Sequence, residues 1–361
     1  MFDLSALSPR QRDAVMAPEG PVLVTASPGS GKTTLLVGRI AFLVESLHVA
    51  PEAVLAISFS RKAVAEIRER LVRVIGPPGG RVNVRTFQSF GLGVISVYYE
   101  QLGYRHNRFT VITNGAEIRD LTTRAAARAG SKLSLDALIT AVEDVRASGR
   151  QTPSPEVAAV VEEYEALLRE SNALDFNSMS SLPLKLFEND PKALDACSMA
   201  FRAILIDEAQ DTNERQYRLV KLLAHRHRNI MAVGDEHQSI YVFRGADGRF
   251  FMMFCRDFPE LTVITLDENY RSTPEIVAFA NEVLAPLDPH RRMWTRNPHS
   301  EPVRLYAATD ELDEAAFVAA DVERLRMSRA LPSATCRCCT GCATRPSRSH
   351  LRSVSVGYRT R

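Results

Sequence analysis

The sequence of 361 residues predicts an α/β protein: a parallel, doubly wound sheet with a helical insertion and the start of a second α/β unit. Short runs rich in Val, Ile and Leu alternate with helical stretches, which is typical of parallel sheets whose strands are buried on both faces. From about residue 113 to 200 these runs cease, and Ala, Glu, Arg and Leu dominate. This second pattern predicts a helical block within the sheet domain.

Each expected strand is a short apolar run, and each expected helix keeps an apolar face or charge pairs at helical spacing. The strands are Pro21–Ala26, Ala53–Ser58, Val82–Thr86, Ala203–Asp207, Ile230–Gly234 and Thr262–Leu266. The helices are Lys32–Leu47, Arg61–Val74, Glu156–Glu170, Asn213–His225 with Thr212 as its cap, and Thr273–Leu284. A strand candidate at Val303–Ala307 and a helix at Asp310–Met327 would open the second unit.

These elements divide the chain into four expected parts. Residues 1–112 and 186–285 form the sheet domain, 113–185 the helical insertion, 286–332 the start of a second domain, and 333–361 an aberrant tail. The tail holds six Arg, no acidic residue and a cluster of four cysteines, so we expect a frameshifted, disordered end. A zinc or iron–sulfur site at Cys336, Cys338, Cys339 and Cys342 is the alternative, but no supporting fold surrounds that spacing.

Composition excludes several classes of protein. With 45% hydrophobic and 24% charged residues, the chain is neither disordered nor fibrous. No apolar stretch approaches the ~18 residues of a membrane span, and no N-terminal leader pattern is present, so we expect a cytoplasmic protein without membrane contact. The net charge of +2 includes the six tail arginines, which leaves 39 basic against 43 acidic residues elsewhere. Any nucleic-acid site is therefore a local stripe.

A phosphate-binding loop is expected where the first strand meets the first long helix. Its residues are Ala26, Ser27, Pro28, Gly29, Ser30, Gly31, Lys32 and Thr33. Glycines let backbone N–H groups turn inward around phosphates, and the helix N-terminus adds partial positive charge. Lys32 would reach the β- and γ-phosphates, and the Thr33 hydroxyl would bind magnesium. An ordinary Gly-containing turn is the alternative, since Ala26 departs from the strict G-x-x-x-x-G-K-[ST] pattern.

The predicted strand Ala203–Asp207 ends in a pair of adjacent carboxylates. Asp207 and Glu208 would lie at the sheet edge where doubly wound folds bind ligands. Asp207 could hold magnesium together with Thr33, and Glu208 could accept a proton from an attacking water. A solvated turn is the alternative for an isolated Asp-Glu pair.

Seven segments in order resemble the UvrD/Rep/PcrA group of superfamily 1 DNA helicases, across roughly residues 4 to 330. They are Leu7 to Val15, Ala26 to Thr33, Ile57 to Ala63, Val84 to Phe90, Asp207 to Thr212, Val233 to Ala246, and Asn269 to Ser272. The resemblance implies a RecA-like P-loop fold. It also explains Ala26, since the family's own loop begins with alanine. The chain departs from the family at Thr34, where arginine is usual, at Pro28, and at Asn177 to Met179.

The resemblance implies a role for each matching residue. Gln11 would contact the adenine edge, Tyr270 would stack on the base, and Arg271 would reach the γ-phosphate. Gln238 lies just beyond a strand and is a candidate γ-phosphate sensor. Nucleotide would also contact the loop from Ala26 to Thr33 and its neighbour Thr34. The residues expected to touch single-stranded DNA are Phe59, Thr86, Phe87, Tyr241, Phe243 and Arg244. Core packing is the alternative for Phe59, Phe87 and Phe243.

By resemblance, the expected function is an ATP-dependent DNA helicase or translocase that uses ATP and Mg²⁺. Its substrate would be single-stranded DNA or a duplex–single-strand junction, with 3′ to 5′ movement. Because two later motifs are missing after about Pro332, we expect impaired activity. A nucleotide- and DNA-binding remnant without catalysis is one alternative. An unrelated P-loop kinase is another, and Gln11, Gln238 and the 269–272 segment argue against it.

Overall fold

The computed structural model describes residues 2–148, 154–239 and 249–329. The described residues separate into two compact units, one that ends at Ser300 and one that begins at Glu301. The strands of the first unit are β1 (Pro21–Ala26), β2 (Val54–Ile57), β3 (Asn83–Arg85), β4 (Thr110–Ile112), β5 (Ala173–Asp175), β6 (Ala203–Ile206), β7 (Ile230–Gly234) and β8 (Thr262–Leu266).

Helices connect and cover these strands. They are α1 (Pro9–Val15), α2 (Lys32–Glu45), α3 (Arg61–Ile75), α4 (Phe87–Val97), α5 (Gly115–Ala129), α6 (Leu135–Ser148), α7 (Pro155–Glu170), α8 (Ser178–Asn189), α9 (Pro191–Met199), α10 (Glu214–Leu223), α11 (Phe250–Asp257) and α12 (Pro274–Leu284). The second unit contains α13 (Glu311–Arg329).

Six strands form one parallel sheet in the order β3-β2-β6-β7-β1-β8. Successive residues of β1 enter different hydrophobic clusters: Val22 and Val24 pack on one face and Leu23 on the other. Strands buried on both faces read as continuous apolar runs, as in β1, β2, β6 and β7, whereas the two edge strands β3 and β8 alternate in burial. The predicted α/β fold class is confirmed. Because the strands are parallel, their C-terminal ends share one edge, and the candidate residues follow those ends.

The helical insertion differs in one respect from the sequence-based expectation. Helices α5, α6 and α7 pack around their own core of Leu121, Leu138, Val160 and Tyr164. A small parallel sheet also pairs β4 with β5, and β5 lies within the block expected to lack strands. That expectation was wrong because a three-residue strand is too short to show a two-residue period.

Two further expectations need correction. Helix α10 is capped by Asn213 rather than Thr212, because the Asn213 side chain accepts the backbone N–H of Gln216 at 2.9 Å. Residues 303–307 form no strand in the described part of the chain. An extended segment needs a neighbouring strand for its hydrogen bonds, and the described residues of this unit supply a helix instead.

In the second unit, the described residues show local packing around α13. The rings of Tyr306 and Phe317 stack with centroids 4.0 Å apart, and Arg304 pairs with Asp321 at 2.6 Å. The predicted domain limits at residues 112, 185, 285 and 332 stay predictions. Across the described ranges, no helix combines the length and the apolar character that a membrane crossing requires.

Candidate functional site

The loop between β1 and α2 has the backbone geometry of a phosphate cradle. Gly29 and Gly31 have φ of +72° and +83°, in the left-handed region that side chains rarely adopt. A Cβ atom on Gly31 would lie 2.8 Å from Nε2 of Gln11, and one on Gly29 would lie 2.8 Å from Nδ2 of Asn269. The loop therefore requires glycine at both positions, for backbone conformation and for space.

Gln11 lies against this loop rather than free in a cleft. Its side chain is 5% exposed. Nε2 donates to the Ser30 carbonyl at 2.9 Å, and Oε1 accepts the Ser8 backbone N–H at 3.1 Å in a capping box of α1. Gln11 thus couples the start of α1 to the phosphate loop, and its contact with adenine stays a prediction.

Arg39 holds the other end of α1 and was not predicted from the sequence. This fully buried side chain of α2 donates to the carbonyls of Val15 at 2.9 Å and Ala17 at 2.5 Å. Burial lowers the pKa of Arg39 to about 10, and nearby Glu19 opposes the shift. The sequence does contain a signal for this role, because an arginine on the apolar face of a helix needs buried hydrogen-bond acceptors.

The Asn269 to Ser272 segment closes the loop from the β8 side. Asn269 Nδ2 donates to the Pro28 carbonyl at 2.7 Å, and the Tyr270 backbone N–H donates to the Gly29 carbonyl at 2.9 Å. Asn269 Oδ1 accepts the backbone N–H groups of Arg271 and Ser272. Asn269 therefore fixes two residues that the sequence assigned to nucleotide binding.

Tyr270 and Arg271 both have solvent-accessible side chains. Tyr270 is 45% exposed, and its hydroxyl donates to Glu268 at 2.8 Å. Arg271 is exposed, and its Cβ atom would lie 2.9 Å from a Cβ atom added to Gly29. The two side chains thus stand at the rim of the loop.

The charged residues of the site form a connected set. Nζ of Lys32 lies 3.3 Å from Oε2 of Glu208. Glu208 has φ of +50°, a left-handed conformation that costs about 1–3 kcal/mol in a non-glycine residue. Gln210 donates from Nε2 to the same carboxylate oxygen at 2.8 Å. The strained backbone at Glu208 thus occurs just after β6, where the Glu208 carboxylate lies beside Lys32 of the loop.

Asp207 is a buried carboxylate whose pKa is raised. Desolvation and the neighbouring charge of Glu208 raise the pKa of Asp207 to about 6, and a 2.9 Å hydrogen bond from Ser58 opposes the shift. Asp211 behaves similarly: burial and Glu208 raise its pKa to about 6, and its Oδ1 is buried without a hydrogen-bond partner among the described residues. Perturbed carboxylates of this kind cluster at functional sites.

A fourth carboxylate, Asp235, follows β7. It is 1% exposed and accepts hydrogen bonds from Nε2 of Gln238 at 2.6 Å and from the His237 backbone N–H at 3.2 Å. Arg291 pairs with it at 2.7 Å and also donates to the Ser27 hydroxyl. Gln238 was predicted from the sequence, whereas Arg291 was not.

The remaining loop residues lie between the end of β1 and the first turn of α2. Ser27 and Ser30 are buried, and the Ser30 hydroxyl donates to the Ser27 carbonyl at 2.7 Å. Thr33 lies in the first turn of α2 and is partly buried, whereas Thr34 is exposed. The roles of the two threonines in binding magnesium and nucleotide stay predictions.

The candidate DNA-contacting residues divide into three groups. Phe59 follows β2 and is half-buried. Thr86 caps α4 through the Ser89 backbone N–H, and Phe87 is 6% exposed within the sheet core, so neither presents a free surface here. Tyr241, Phe243 and Arg244 lie outside the described residues. The DNA assignments therefore stay predictions.

The fold and this edge of the sheet define a class of protein. A glycine loop after β1, a carboxylate pair after β6 and a buried Asp with a neighbouring Gln after β7 belong to a P-loop domain of the RecA-like type. The chain belongs to the UvrD/REP helicase family: the sequence profile of the UvrD/REP helicase N-terminal domain matches residues 7–259.

Curated relatives agree with this assignment. The chain is 34% identical over 335 residues to the ATP-dependent DNA helicase PcrA of Bacillus subtilis, covering 89% of this chain and 45% of the relative. It is 35% identical over 333 residues to the protein of the same name from Staphylococcus aureus strain Mu50, covering 88% and 46%. A Staphylococcus epidermidis PcrA is 34% identical over 336 residues, covering 89% and 46%. The chain thus spans about half the length of these relatives.

Proposed function

We propose that this chain binds ATP, hydrolyses it and couples hydrolysis to movement on single-stranded DNA, as a motor of the UvrD type. The observation that carries the proposal is the connected charge set at one sheet edge. There, Lys32 of the phosphate loop lies 3.3 Å from Glu208, and Gln238 is held by Asp235. An ordinary glycine-containing turn does not require a lysine beside a carboxylate or a glutamine fixed by an aspartate.

Each nucleotide-site residue has a proposed task. Lys32 binds the β- and γ-phosphates, and Arg271 adds charge at the γ-phosphate. Tyr270 stacks on the adenine, whose edge is contacted by Gln11. Glu208 accepts a proton from the attacking water, and Gln238 orients that water or reports the loss of the γ-phosphate. These assignments are supported by the positions of the side chains around one loop.

The donor set also suits Mg²⁺. The Thr33 hydroxyl and the Asp207 carboxylate are hard oxygen ligands of the kind that this ion prefers. Burial and the neighbouring Glu208 raise the pKa of Asp207 to about 6. Thr33 and Asp207 would hold the ion. When bound, it would neutralise developing phosphate charge.

The DNA surface is proposed at the end of β2, where Phe59 is half-buried. Phe59 follows β2, whose neighbour in the sheet is β6 with Asp207, so DNA and nucleotide residues share one edge. Aromatic stacking and phosphate contacts tolerate any sequence, so binding is expected to be salt-sensitive and to prefer single strands. We carry over from the family resemblance 3′ to 5′ movement and action at a duplex–single-strand junction.

Titration with a fluorescent ATP analogue and MgCl₂ tests nucleotide binding. Lys32→Ala should abolish saturable binding. Lys192→Ala, which alters an exposed lysine on α9, is the matched control and should bind as the unaltered chain does. Equal affinity in the Lys32→Ala variant would refute the loop assignment.

Phosphate release with and without oligo(dT) tests the coupling to DNA. Glu208→Gln should bind nucleotide and lose hydrolysis. If the unaltered chain binds both ligands and hydrolyses nothing, the non-catalytic alternative is correct and the motor proposal is wrong.

A further inference from the structure

The segment around Arg291 is fixed on the C-terminal edge of the sheet. Asn281 of α12 exchanges two hydrogen bonds with the Met293 backbone, at 2.8 and 2.9 Å. The Trp294 carbonyl accepts the Asn269 backbone N–H at 2.7 Å. Met293 is also buried. The backbone that carries Arg291 is therefore held in place by contacts independent of the arginine itself.

The Arg291 guanidinium joins two strand ends that are not adjacent in sequence. Nη1 lies 2.7 Å from Oδ1 of Asp235, after β7. Nε and Nη2 donate to the Ser27 hydroxyl, in the loop after β1, at 3.3 and 3.1 Å. The side chains of Arg291 and Asp235 are 9% and 2% exposed, so solvent screens this pair little.

Asp235 also belongs to a closed ring of contacts, which it enters through its backbone N–H. The Asp235 backbone N–H donates to Gln210 Oε1 at 3.0 Å, and Gln210 Nε2 donates to Glu208 at 2.8 Å. Glu208 pairs with Lys32 of the loop, which completes the ring back to β1. Oδ2 of Asp235 meanwhile accepts from Gln238 at 2.6 Å. Arg291 is thus the cation that balances the charge of Asp235, whose carboxylate also accepts the hydrogen bond from Gln238.

We infer that Arg291 is a positioning residue of the nucleotide site, an inference that rests on the proposed function. It neutralises Asp235 beside the phosphate loop and fixes the carboxylate that orients the Gln238 amide. Without Arg291, a buried, unpaired carboxylate faces the loop, and such a charge repels a triphosphate more strongly than a diphosphate. Arg291 thereby favours binding of ATP over binding of ADP and fixes the position of Gln238, the proposed γ-phosphate sensor.

The test compares binding of fluorescent ATP and ADP analogues, with magnesium, to the full chain and its variants. Arg291→Ala should weaken ATP binding roughly ten- to hundredfold, the range for loss of a hydrogen-bonded charge, and ADP binding less. Arg292→Ala removes the exposed neighbouring arginine and should leave both affinities unchanged. Arg291→Lys retains the charge and should recover part of the loss.

A double variant separates charge balance from a merely structural role. Arg291→Ala combined with Asp235→Asn removes the unpaired charge and should recover most of the lost ATP affinity, so that the two substitutions are strongly non-additive. Thermal melting of each variant verifies folding, and if Arg291→Ala alone does not fold, Arg291→Gln with and without Asp235→Asn provides the same comparison.

The outcomes distinguish this inference from the proposed function. If Lys32→Ala abolishes ATP binding but neither Arg291→Ala nor the double variant alters it, the inference about Arg291 is overturned and the proposed function is not. An equal loss of ATP and ADP affinity, unrelieved by Asp235→Asn, also overturns it. Absence of nucleotide binding by the unaltered chain overturns the proposed function and the inference together.

Discussion

Ser58 donates a hydrogen bond of 2.9 Å to Oδ2 of Asp207, across the pairing of β2 with β6. Both side chains are buried. Ser58 immediately precedes Phe59, the described aromatic candidate for DNA contact that is not part of the core. One hydrogen bond therefore connects the end of β2 to the carboxylate proposed to bind magnesium.

Removal of the Ser58 hydroxyl should weaken both stability and DNA stimulation. Loss of a buried hydrogen bond to a charged acceptor costs about 1.5–3 kcal/mol of unfolding free energy. Ser58→Thr and Ser58→Val have nearly equal bulk, so their difference in urea denaturation isolates the hydroxyl. We expect the valine variant to be less stable and to show less oligo(dT)-stimulated phosphate release. Equal behaviour of the two variants would contradict the proposed coupling.

Gly31→Ala should abolish nucleotide binding. Its φ of +83° is unfavourable for alanine, and the added Cβ would lie 2.8 Å from Nε2 of Gln11, which would displace the amide from Ser30. Gly115→Ala is the matched control, since a Cβ atom added there on α5 would meet none of the described residues within 4 Å and alanine favours helix. Titration with the fluorescent ATP analogue should separate the two variants. Retained binding in Gly31→Ala would show that the loop tolerates a side chain.

Asp257 should make stability depend on acid pH. Burial tends to raise its pKa, but hydrogen bonds from Arg256, Lys221 and Tyr217 outweigh this and lower the pKa to about 2. Because the folded-state pKa is below the ordinary value of about 3.9, the stabilisation is complete above that value and is lost as pH falls toward 2. In urea denaturation, the stability difference between the unaltered chain and Asp257→Asn should be larger at about pH 6 than at about pH 3. A pH-independent difference would exclude this linkage.

The strands and the phosphate loop were predictable because their signals are local. An apolar run buried on both faces identifies β1, and glycines next to Lys32 identify the loop within a few residues. Arg291 was not predictable from such signals, because its partners Asp235 and Ser27 lie 56 and 264 positions away in sequence. A cap at Asn213 rather than Thr212 depends on one backbone turn, which residue preference alone does not resolve.

A buried ion pair joins α6 to the end of β5. Arg146, near the end of α6, donates from Nη2 to both oxygens of Asp175 at 2.8 and 2.9 Å, and its guanidinium lies 4.7 Å from the Tyr164 ring centroid. Asp175 also accepts the Ser178 backbone N–H at 2.7 Å. Both charged side chains are almost inaccessible to solvent, at 4% and 7% exposure.

Breaking one side of such a pair leaves the other charge buried, at a cost of about 3–5 kcal/mol, whereas replacing both with apolar residues of similar volume is often neutral. We therefore expect Arg146→Met and Asp175→Leu each to lower the free energy of unfolding substantially. Their combination should be more stable than either single variant, as measured by a double-mutant cycle in urea. Arg119→Met, which removes an exposed pair with Asp136, is the control and should change stability by at most about 1 kcal/mol. If the losses at Arg146 and Asp175 simply add, the two residues act independently, and α6 is held in place by its apolar contacts rather than by this pair.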